Sequence, residues 1–130
     1  MRDHVPPISS EVWGAAYEGG AENDVALRER VFAYLDADPM HFRSGYIKQK
    51  LLRQVKRWRL SHDERAILRD LVLRRVRGPA YREFREVCRT IPAIADDRLR
   101  TDLEALSRDR NKWVRQRARF ALDTFRRPRP

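Results

Sequence analysis

Ser61-His-Asp-Glu-Arg-Ala-Ile-Leu-Arg-Asp-Leu-Val-Leu-Arg-Arg-Val-Arg-Gly78 decides the fold class, because it carries a start signal, one apolar stripe and a stop. Ser61 and Glu64 have the spacing of a capping box, in which the serine oxygen accepts from the third helical residue and the glutamate reaches back to the cap. Leu68, Leu71, Val72 and Val76 recur at three and four residues and so share one face. Gly78 is a natural stop, and Pro79 suits the first turn of a successor helix.

The same grammar extends in both directions. Upstream, Ser44 opens a helix on Ile47, Leu51, Val55 and Trp58. Before it, Asn23 or Asp24 caps a helix on Leu27, Val31, Tyr34 and Leu35 that reaches about Ala37 and ends at Asp38-Pro39. Ser9 or Ser10 caps a short helix from Glu11 to Glu18, stopped by Gly19-Gly20, with Val12, Trp13 and Ala16 packing it down. Downstream, a helix from about Pro79 to Thr90 uses Phe84, Val87, Cys88 and Ile91, and Pro92 is expected to break it. Asp96-Asp97 begin the next, on Leu99, Leu103 and Leu106. The last runs from about Arg110 to Arg126 on Val114, Ala118, Ala121, Leu122 and Phe125. Alternation of the strand type is scarce, so the expected class is all-α, with about seven helices.

The six helices after Gly20 pair as three hairpins. Val31, Val72 and Leu103 are equivalent in the first helices, and Ile47, Phe84 and Val114 in the second, a rough period in the thirties. The expected domains are an extended leader with a short helix over 1–22, a three-hairpin repeat over 23–126 and a frayed basic tail over 127–130. In the final unit, Asp109-Arg-Asn-Lys-Trp-Val114-Arg115-Gln-Arg-Ala118-Arg-Phe-Ala121-Leu122 resembles the second helix of HEAT-type repeats. The echoes at Phe84-Arg85 and Ile47-Lys48 lack the preceding aspartate. The resemblance implies a short α-solenoid of stacked antiparallel hairpins, with Asp109 capping, second helices lining the concave wall, and binding rather than catalysis as the usual role.

Charge gives the partner class. The 130 residues carry a net charge of +10. Residues 1–42 hold three bases against eight acids, and the remainder holds 26 bases against 11 acids. The stretch 43–60 carries seven bases and no acid. The resemblance implies a basic inner wall of Lys48, Arg53, Lys56, Arg85, Arg89, Arg115 and Arg119, and the basic helix itself adds Lys50 and Arg57 to the candidate anion-binding residues. Lys50, Arg53 and Arg57 share a face, which reads either as a phosphate-contacting ridge or as a solvated surface. Tyr46 and Trp113 open helices beside these bases and are candidates to stack on unpaired bases, whereas Trp58 continues an apolar stripe and belongs to the core.

Other chemistry is weakly signalled. The single cysteine, Cys88, forbids an internal disulfide and sits on an apolar stripe. His4, His41 and His62 lack metal-ligand spacing, and no phosphate loop, serine elbow or HExxH is present. No cofactor, no catalytic residue and no metal are therefore expected. Absence of a signal peptide or an apolar run of about 20 residues points to a cytoplasmic protein without a membrane span. The function expected is a non-enzymatic binding module for nucleic acid. A protein adaptor comes second, binding an acidic protein surface or self-associating through its acidic first part, which would cover the basic groove in cis or that of a second copy in trans. An enzyme of the HEAT-like DNA glycosylase kind is third.

Overall fold

A computed structural model describes residues 9–39, 44–79 and 83–125. Among them every regular element is helical: α1 (Ser10–Glu18), α2 (Val25–Ala37), α3 (Ser44–Val55), α4 (His62–Arg77), α5 (Phe84–Arg89), α6 (Ile91–Ile94), α7 (Asp97–Leu106) and α8 (Lys112–Phe125). The leader before Ser9 and the tail after Phe125 lie outside the described residues.

The caps explain where helices start. Ser9 accepts from the Val12 amide, Asp24 from Leu27 and Asp96 from Leu99. Both halves of the Ser61 capping box form: Glu64 N donates to Ser61 Oγ at 3.1 Å, and Ser61 N donates to Glu64 Oε1 at 2.9 Å. Gly19 and Gly20 leave α1 with φ of 77° and 88°, a region open to glycine. Asp38 closes α2 in the left-handed region, at φ 50°, which a short polar side chain tolerates.

The apolar stripes meet in one core. Val31, Leu35, Ile47, Leu51, Leu52, Val55, Leu68, Val72, Val76, Ile91, Leu103, Ala118 and Ala121 are fully buried within it. α2 packs on α4 and α4 on α7, forming one row; α3 packs on α5 and α5 on α8, forming another. The rows meet where α4 touches α5 and α8, and where α7 lies along α8. α1 rests on both α2 and α3.

Several details differ from the sequence reading. There are eight described helices rather than about seven, because Pro92 does not end structure but sits in the first turn of α6, where its missing amide costs nothing. Pro79 does not open α5, which begins at Phe84. Asp109 does cap a backbone donor, accepting from the Asn111 amide, but the first turn of α8 is capped by Asn111, whose Oδ1 accepts from the Trp113 and Val114 amides. Trp58 is buried as expected but lies beyond the end of α3, edge-on to Phe32 with the Arg28 guanidinium 5.0 Å from its ring. Trp13 does not pack α1 down. It is 39% exposed and stacked on Tyr17, while Val12, Ala15 and Ala16 make the contact with the core.

Candidate functional site

The candidate site grows from how the two rows divide the charge. Helices α2, α4 and α7 carry nine bases against eight acids. Helices α3, α5 and α8 carry nine bases against two acids, Glu86 and Asp123. Lys56, Arg57 and Arg59 extend the second row past the end of α3. The first row is therefore internally neutralised, and the second has a surplus that its own helices cannot cancel.

Contacts tie parts of the second row together. Arg53 on α3 and Arg89 on α5 both reach Glu86 Oε2, at 3.0 and 2.8 Å. Glu86 is buried, yet each arginine side chain keeps about half of its surface in water. One carboxylate thus anchors two cations and cancels only one. Arg85 lies 5.9 Å from the Phe120 ring on α8, joining α5 to the helix that bears exposed Arg119. Among the described residues, no carboxylate pairs with Arg57, Arg85 or Arg119. Lys50 stands with its ammonium 4.7 Å from the Tyr17 ring centroid, a cation–π contact to α1.

Two of the candidate residues have other work. Lys48 belongs to the interior: it is 1% exposed, between Asp38 Oδ1 at 2.8 Å and Glu83 Oε2 at 2.7 Å. Its assignment to the basic wall is corrected by its position three and four residues before the buried Leu51 and Leu52. Arg115 is half-buried and donates to the carbonyls of Asp109 and Arg110, fastening the turn between α7 and α8. Lys50, Arg53, Lys56, Arg57, Arg85, Arg89 and Arg119 retain at least part of their side chains at the surface.

Behind this surface lies an ionic cluster that sequence reasoning missed. Asp38 at the end of α2 accepts Lys48 of α3 on one oxygen and faces Arg75 of α4 at 3.1 Å on the other. Arg75 also donates to the Pro79 carbonyl at 2.9 Å, and Glu83 precedes α5. Asp38, Lys48, Arg75 and Glu83 are all buried, two cations against two carboxylates, so charge balances without solvent. The Tyr34 hydroxyl is held well above its ordinary value by burial, and secondarily by the negative charges of Glu83 and Asp38, so it stays protonated. The signal for Lys48 and Arg75 was their helical spacing to buried leucines and valines. Nothing in the sequence told which acids would meet them.

The remaining titratable groups are structural. Burial pushes the Cys88 thiol up to about 12, so it is not a nucleophile at neutral pH. The Arg28 hydrogen bonds hold Glu64 below the usual carboxylate range, against the opposing effect of burial. Three acids of the first 42 residues are engaged by cations: Glu11 by Arg30, Asp36 by Arg74, and buried Asp38 by Lys48 and Arg75. Among the described residues, no group of three His, Cys, Asp or Glu is placed to hold a metal ion, and no helix is long and apolar enough to cross a membrane. The chain finds no match among protein-family models, curated proteins or solved structures.

Proposed function

We propose that this chain is a non-enzymatic helical binding module that holds nucleic acid by its phosphates along the exposed side of α3, α5 and α8. The observation that carries this reading is the sorting of charge: nine bases against two acids in one row, nine against eight in the other. A surplus concentrated on three adjacent helices, eight bases against two acids once buried Lys48 is set aside, makes a field stronger over one side than a net charge spread evenly would. The succession α2–α4–α7 and α3–α5–α8, with α4 packed on α5 and α7 on α8, also supports a short HEAT-like stack in which the second helices form the binding wall, although α2 and α3 hardly touch. Binding would come from released counterions and would read the backbone rather than the base sequence.

The test is a salt titration of binding to unrelated duplexes. Log affinity should fall linearly with log salt, with a slope near −0.9 for each phosphate neutralised. Absence of binding at low salt ends this reading.

A further inference from the structure

Resting on the nucleic-acid reading above, we infer that Trp13, Tyr17 and Tyr46 form a stacking platform for unpaired bases, so that the preferred ligand is single-stranded. Trp13 and Tyr17 lie one turn apart on α1, with ring centroids 5.3 Å apart and planes inclined by 30°. They are 39% and 54% exposed although one ring lies against the other, while Val12, Ala15 and Ala16 anchor the other side of the helix. Tyr46, 48% exposed, opens α3 one turn before Lys50, and Lys50 lies over Tyr17. The aromatic patch and the basic row therefore share Lys50. Lys50 in turn lies on the face of α3 that continues through Arg53.

The platform is fixed in place. Gln54 Nε2 on α3 donates to the carbonyls of Ala15 and Ala16 on α1, at 2.9 and 3.2 Å, locking the two helices together. A single strand satisfies both chemistries at once: its bases offer π-faces to the rings while its phosphates meet Lys50 and Arg53. A duplex offers the phosphates alone, since its bases are stacked on one another. A second copy of this chain fits less well, because it would bring its own lysine and arginines against these.

The experiment uses the full chain and two fluorescent probes at one salt concentration, an oligo(dT) strand of about 15 nucleotides and a duplex of the same length. Wild type should bind the strand more tightly. Trp13→Ala should weaken strand binding about 5- to 150-fold while leaving duplex binding unchanged, and Tyr17→Leu, which also releases Lys50, should weaken strand binding by more than it changes duplex binding. Trp13→Phe, which keeps a ring, should retain most of the affinity, and circular dichroism should show unchanged helix in all three. Equal strand affinity in wild type and variants, or equal loss on both probes, overturns the platform while phosphate binding stands. So does a patch whose removal only splits a dimer in sedimentation. If wild type binds neither probe at low salt, the phosphate reading fails and takes the platform with it.

Discussion

Lys48 shows how one residue decides what the rest of the surface can do. Its ammonium is held by two carboxylates from different elements, so removing it leaves Glu83 buried without a cation and Asp38 with Arg75 alone. A buried pair adds little over a well-packed apolar substitute, yet breaking one is costly because the remaining charge has no partner. Lys48→Ala should therefore lose about 3–5 kcal/mol of stability in urea unfolding. Arg53→Ala, removing a half-exposed partner of Glu86 that Arg89 still holds, should lose no more than about 1 kcal/mol. A similar small loss at both positions would mean that water reaches the cluster. The two residues differ by five positions in one helix, and their opposite fates follow from which side of α3 each occupies.

At the scale of the element, Gly78 sets how α4 ends. Its φ of 98° suits glycine, and a Cβ there would come within 2.5 Å of Arg117 Nη2. Arg117 occupies that space because it donates to the Val76 carbonyl at 2.8 Å, satisfying a group that the helix end leaves open. Gly78→Ala should cost roughly 1–3 kcal/mol, whereas Gly14→Ala, inside α1 with only Glu18 at 3.8 Å, should gain about 0.5–1 kcal/mol. Thermal melts of the two single variants should move in opposite directions. Such ends were largely legible beforehand: Ser61 with Glu64, Asp24, Asp96 and Gly19 all announce caps through side-chain chemistry confined to a few residues. What the sequence could not convey was set by distant partners. Charge alone places Lys48 outside and size alone places Trp13 inside, and tertiary contacts reverse both. Pro92 misled for a different reason, since a proline that breaks one helix equally well begins another.

Over the whole molecule, the question is whether the surplus of +10 acts as a total or as a pattern. A total would attract any polyanion to any side, and every exposed arginine would count alike. A pattern would make position decisive. Arg57→Glu with Arg119→Glu reverses two exposed, unpaired cations of the α3–α5–α8 side. Arg65→Glu with Arg98→Glu reverses two cations of the α4–α7 row, in the first turn of each helix, where the dipole accepts negative charge. Each pair lowers the net charge by the same amount, two units per reversal. If the sorted row is the binding surface, the first pair should flatten the log–log salt slope by about 1.8, two contacts' worth, and weaken duplex binding at every sequence tested. The second pair should leave the slope within error of wild type. Equal losses from both pairs would show that only the overall charge matters, and the division between the two rows of helices would have no bearing on binding.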